Sequence, residues 1–375
     1  MFKKVVSIII CTMMVSLSVY ADGDDTTETV DSAEPAVYTI SLADCINMAT
    51  TENPQLEACD IKKENYETQL SAAKITKSNY KDNRTVYVSS GYEVTYIRGG
   101  YYVDSFQSAL DLCDFERRQI ESTLAYNATQ KYFNYKNCMK LVDIASKSYD
   151  LAAENYNSMK LSYDLGLVSQ NELDNAQLSL KRAEYIVQSY NNNCNLALDD
   201  LKIALRKNNE DCTLVLTDEI ECGDYEGDLN ADLVTAENSR YDINSLKSNY
   251  ELKKKYLDLT GLPSTSAKYT SAYSDFITAE YNYTNNKDLI LLGVKSSYNS
   301  ISSAKNDLDI ANDNLNLKNS AYNIAKIKYD QGMITNMELM SAMNDVSQAE
   351  IELENAKLTY KLAVEKYKYE ISIGL

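Results

Sequence analysis

The chain has no histidine. That removes the usual general base at neutral pH, the Ser/His and Cys/His nucleophile pairs, and the mixed Cys/His zinc site. Cysteine is present but scattered: Cys45, Cys59, Cys113, Cys138, Cys194, Cys212 and Cys222 follow Cys11, with no CxxC spacing among them. Most read as small core residues, and Cys212 and Cys222, which flank an expected loop, are the one pair placed to bridge. Clustered Lys and Arg are also missing, and the net charge is −18. Nucleic acid and anionic lipid headgroups both call for the opposite sign. Carboxylates are so common that no pair stands out as a hydrolytic site, and no cofactor or metal is expected. Beyond the first 21 residues no run is long and apolar enough to cross a membrane as a helix. Any crossing must then use strands.

Those first 21 residues read as an export signal: Lys3-Lys4, an apolar run from Val5 to about Val19, and Val19-Tyr20-Ala21 as the cleavage site. Cys11 follows Ile10, not the small residue a lipoprotein signal requires, which argues against a lipid anchor. Residues 22–37 form an acidic, Thr-rich leader without periodicity, expected to be disordered.

What the rest of the chain does contain is itself, twice. Tyr156, Tyr163-Asp164-Leu165-Gly166, Glu172-Leu173, Ala176 and Ala183 align with Tyr322, Tyr329-Asp330-Gln331-Gly332, Glu338-Leu339, Ala342 and Ala349, an offset of 166 positions. That is too long for a solenoid repeat and indicates two structural halves. From Ser169 onward Leu173, Leu180, Val187, Cys194 and Leu201 recur every seven residues beside Ala176, Ala183, Tyr190 and Ala197. Leu339, Val346, Leu353, Tyr360 and Tyr367 repeat the pattern beside Ala342, Ala349, Ala356 and Ala363. Sustained heptads with an alanine stripe predict closely packed coiled-coil helices. The preceding helices carry a tyrosine stripe at Tyr149, Tyr156 and Tyr163, and helical character runs back to about Ser105 without a proline. A rod of that length, roughly 88 Å at 1.5 Å per residue, cannot bury its own apolar face and needs partners.

Gly166 and Gly332 stop the long helices, and Ser169 with Glu172, like Thr335 with Glu338, restarts the chain as a capping box. Each half opens with a further helix, Leu42 to about Lys81 and about Leu233 to Leu259, with Asn53-Pro54-Gln55-Leu56 aligned to Arg240-Tyr241-Asp242-Ile243. Between these and the long helices, Arg84–Val103 and Ala267–Thr284 alternate Tyr, Val and Ile with polar residues. Both are predicted as β-hairpins, either barrel wall or a short soluble ribbon. Residues 208–232 are expected to form a strand and loop joining repeats 38–207 and 233–375.

This order of elements resembles the TolC-like outer-membrane efflux proteins. The resemblance rests on Leu42-Ala43-Asp44-Cys45-Ile46 with Asn53-Pro54, Tyr163-Asp164-Leu165-Gly166-Leu167-Val168 with Asn175-Ala176, and Tyr329-Asp330-Gln331-Gly332 with Ala342. It implies a mainly α fold with small β: long antiparallel coiled-coil hairpins in two repeats, each repeat giving a β-hairpin to a trimeric barrel. It implies a passive exit duct in the outer membrane, without enzymatic activity, served by a periplasmic adaptor and an inner-membrane transporter. By the same resemblance, Glu172 and Glu338 fall at pore-entrance acids and Tyr329 at a tyrosine that ties the closed state. Ser341 and Ile334 stand where relatives carry a second acid and an arginine, so the family's closed-state network is incomplete. The competing reading is an exported coiled-coil stalk or surface interaction protein without a channel; an exported hydrolase using paired carboxylates stands behind both.

Overall fold

The computed structural model describes residues 36–82, 91–207 and 212–374. The export signal, nearly all of the acidic leader and residues 84–90 lie outside the described residues. Two helices of 64 residues, α4 (Tyr101–Asp164) and α8 (Ala267–Asp330), are the long members, each about 96 Å at 1.5 Å per residue. Each is covered in series by shorter antiparallel helices. In the first half α5 (Gln170–Ala204) lies along the part of α4 nearest the turn. The remainder is covered by α1 (Leu42–Thr50) and α2 (Pro54–Asp82), followed by a short α3 (Gly91–Gly99). In the second half α9 (Asn336–Ser372) covers the turn-proximal part of α8, and α6 (Leu229–Ser239) and α7 (Tyr241–Thr260) the rest. The arrangement answers the burial problem of a long rod: no single partner is long enough, so two stand end to end.

The predicted seams are the ones used. Ala176, Ala183 and Leu201 are buried in α5, and Ala349, Leu353, Tyr360 and Tyr367 in α9, with the intervening heptad positions half-buried. Alanine at these sites permits close approach of the backbones. The single opening helix expected in each half is instead broken in two, α2 starting at Pro54 and α7 at Tyr241, the aligned positions of the two halves. Each break is tied by an arginine to its own half. Arg206 Nη1 donates to the Glu52 carbonyl at 2.7 Å, and Arg240 donates to the Glu370 carbonyl at 2.8 Å while pairing with Asp242.

The only strands among the described residues are β1 (Ala36–Ile40) and β2 (Cys212–Leu216), a parallel pair. β2 was expected and its partner was not. Cys212, Leu214 and Leu216 point into a core with Cys45, Ala128, Tyr132 and Leu201. At its edge Tyr132 donates to Asp218, whose backbone N–H in turn donates to the Tyr132 hydroxyl, both at 3.0 Å. The linker then crosses to the second half, where Tyr360 donates to the Gly223 carbonyl at 2.9 Å and Tyr225 and Tyr367 both donate to Asp232. Cys212 and Cys222 are free thiols, and Cys222 donates instead to the Lys357 carbonyl.

The two β-hairpins are corrected by the structure. Residues 91–103 form α3 and the start of α4, and residues 267–284 are the first turns of α8. The alternation was real, but a helical stripe competed with it: Ala272, Phe276, Ala279 and Tyr283 recur at four- and three-residue spacing. Ala272 and Ala279 are buried, and Phe276 and Tyr283 pack on Tyr250 of α7. Arg98-Gly99-Gly100 is a joint between two helices, with Gly100 left-handed at φ +77° and Gly99 packed against Leu259.

Burial and the neighbouring Asp232 push the Tyr225 hydroxyl up to about 12, and Tyr367 is raised further by the same causes. Because the folded form favours neutral tyrosine, this contribution to stability is complete below pH ~10 and is lost as pH rises through about 12. Thermal melts between pH 8 and 12 should show that decline. Tyr367→Phe, which removes one hydrogen bond to Asp232, should cost about 1 kcal/mol at pH 8 and flatten the alkaline loss.

Candidate functional site: the glycine turns

Both turns are built in the same way. Gly166 and Gly332 adopt φ of +73° and +70°, a left-handed conformation that glycine enters without penalty. Their N–H groups donate to the Tyr163 and Tyr329 carbonyls at 2.8 Å, and the next residues, Leu167 and Met333, reach back to the Ser162 and Lys328 carbonyls at 2.8 Å. This Schellman closure satisfies the last carbonyls of α4 and α8. Two residues later the capping boxes form. Glu172 Oε2 accepts from the Ser169 backbone N–H at 2.7 Å, and Glu338 Oε2 from that of Thr335 at 2.8 Å. The same hydrogen bonds hold both carboxyls below the usual glutamate range.

The three residues proposed for a pore entrance do not form one cluster within a single chain. Glu172 lines a groove of about 300 Å³ between the two hairpins, together with Arg182, Thr335 and Asn336. Glu338 is exposed and does not line it, and Tyr329 is half-buried with no hydroxyl partner among the described residues. The contact that does tie the two hairpins near their tips runs from Asn336, whose Nδ2 donates to Asn155 Oδ1 at 2.6 Å. It sits above an apolar contact of Ala152 and Ala183 with Met340 and Met343. Nothing in the residue pattern signals this pairing: neither asparagine belongs to a heptad stripe, and only the docking of the halves brings them together. Farther from the turns a second amide pair, Asn137 Nδ2 donating to Asn355 Oδ1 at 2.9 Å, joins α4 to α9, and the Asn137 Oδ1 is buried without a partner among the described residues.

No group of metal-ligating side chains occurs among the described residues. Burial pushes the Cys45 thiol up to about 12 and raises Cys59 and Cys113 above the usual thiol range, so these sulfurs pack as neutral apolar groups.

Gly332→Ala should cost about 1 kcal/mol through backbone strain alone, since open space surrounds the position. Glutamine can serve a capping box, so Glu172→Gln and Glu338→Gln should leave the melting temperature unchanged while Glu172→Ala lowers it. Melting at pH 7 should separate the cap from the charge.

Residues 242–366 match the family model described as "Outer membrane efflux protein". No curated protein matches the chain in sequence. Among solved structures, the CmeC outer membrane channel of Campylobacter jejuni is similar at 16% identity, covering 88% of this chain and 85% of its own, with a TM-score of 0.67. The outer membrane protein VceC of Vibrio cholerae is similar at 12% identity, over 89% of this chain and 96% of its own, with a TM-score of 0.69. The open-state MtrE outer membrane channel of Neisseria gonorrhoeae gives 13%, 89% and 89%, with a TM-score of 0.62. The chain thus shares the fold of these outer membrane channels over nearly nine-tenths of its length, and the family match falls on residues 242–366.

Proposed function

We propose that this protein is the passive exit duct of an efflux system in the outer cell envelope. Its repeats, 38–207 and 233–375, are joined by 208–232 and assemble as a homotrimer around a bore. A periplasmic adaptor protein and an inner-membrane transporter are the partners of such a duct, which itself carries no reaction site. The observation that supports this most directly is the pair of identically capped turns converging at one end of a fold shared with outer-membrane channels. Threefold repetition would bring Glu172, Glu338 and Tyr329 of three chains to that narrow end. Carboxylates repeated by symmetry in a poorly screened constriction reinforce one another's potential and attract cations.

A second reading, an exported coiled-coil stalk, is favoured by one specific observation. The segments that should have supplied barrel strands, 91–103 and 267–284, are helical. The two readings part on the interior of the assembly.

Electron microscopy of the purified mature protein should show three copies around a continuous axial opening, and a solid bundle would end the duct reading. In cells, deletion should raise retention of a fluorescent efflux substrate, restored by the wild-type chain. Gly332→Pro, which breaks the turn, should not restore it.

A further inference from the structure

Where the linker 208–232 crosses the second half, a pocket of about 310 Å³ opens between it, α8 and α9. The linker gives Asp224 and Tyr225, α8 gives Tyr298, Ile301 and Lys305, and α9 gives Tyr360. The remaining lining residues, Ser302 and Asn306, are polar and uncharged. The three tyrosine hydroxyls are already engaged elsewhere: Tyr225 donates to Asp232 at 3.2 Å, Tyr298 to the Gly227 carbonyl at 3.5 Å and Tyr360 to the Gly223 carbonyl at 2.9 Å. Ring carbons are left to wall the space, with Tyr225 and Tyr298 edge to face at 6.4 Å between centroids. A pocket of this size and aromatic lining suits a small molecule.

The chain itself shows what such walls hold. The Lys305 ammonium lies over the Tyr360 ring, 5.6 Å from its centroid, and pairs with Asp224 at 2.9 Å. A ring face and a carboxylate together stabilise a cation. Yet the charges do not balance. Asp309, one turn along α8, is a second carboxylate, 3.7 Å from the same ammonium, so two negative groups share one positive group and the cluster keeps one uncompensated negative charge. On α9, Lys357 and Lys361 are paired with Glu354 and Glu365, and residues 210–232 of the linker contain nine acidic residues and no Lys or Arg. Neither wall offers a spare cation among the described residues.

We infer that this pocket binds a small organic cation, an ammonium bearing an apolar substituent. The charged head takes Asp224 beside the rings of Tyr298 and Tyr360, and the substituent lies on Ile301 and Tyr225. Lys305 then moves to Asp309, the carboxylate it already approaches. Both acids end paired and the cluster becomes neutral, a gain that an uncharged ligand cannot provide. The site is complete on one chain and needs neither a bore nor a pump, so its failure and the failure of the duct reading are separate results.

Saturation-transfer NMR and calorimetry on the purified mature chain test the inference with benzyltrimethylammonium as the probe. Its methyl and ring protons should receive saturation from the protein, and those of N-benzylacetamide, a neutral molecule of similar size, should not. Asp224→Asn should weaken binding about fivefold, the effect of a partly exposed ion pair. Tyr298→Leu, which keeps an apolar wall but removes a ring face, should weaken it several-fold. Lys305→Gln is the diagnostic variant: it removes the resident cation and leaves two unpaired carboxylates, so binding should tighten, whereas a purely structural role for Lys305 would weaken it. Circular dichroism establishes the fold of each variant. The inference is overturned by no transfer from the folded wild-type chain, equal binding of the amide, unchanged affinity in Asp224→Asn, or weaker binding in Lys305→Gln.

Discussion

A 64-residue helix exposes an apolar stripe along its full length and can hide it only against other helices. That constraint organises the molecule. It explains why α4 and α8 each take a pair of end-to-end partners, why the seams of α5 and α9 carry alanine, and why the halves meet through α4 and α9. It also explains the tyrosines. Where rods cross the linker, a ring fills the space between helices and its hydroxyl holds a loop carbonyl or a carboxylate, as Tyr360 does with Gly223 and Tyr367 with Asp232. One residue type thus supplies both packing and the polar tether.

The turns turn this scaffold into a candidate site. Gly166 and Gly332 reverse the chain in minimal space, and the capping boxes restart it, so the narrow end of each hairpin is fixed by backbone hydrogen bonds. The geometry shared by the two tips contrasts with the link between them, an amide pair above an apolar cluster of Ala152, Ala183, Met340 and Met343. The opposite end is different in kind, held together by stacked tyrosines such as Tyr96 on Tyr256.

Much of this was legible in the residues. Heptads, glycine stops, capping boxes and the 166-residue offset are local or periodic signals, and each depends on neighbours within a few turns of the same chain. The β-hairpin expectation failed for an equally physical reason. Tyr281 and Tyr283 alternate with polar residues over a stretch too short to separate a period of 2.0 from one of 3.6, and contact with Tyr250 settles the question. The Asn155–Asn336 tie was not legible, because asparagine on a helix surface carries no pattern until another helix arrives.

The sequence by itself determined that there are two rods, where each reverses, and which faces their covering helices bury, since period and capping act within the chain. Only the tertiary structure decided that residues 91–103 and 267–284 are helical, and that Glu172 but not Glu338 lines the groove between the hairpins. Those outcomes depend on which distant side chains come into contact, and free energies of contact between remote segments leave no periodic trace in one sequence.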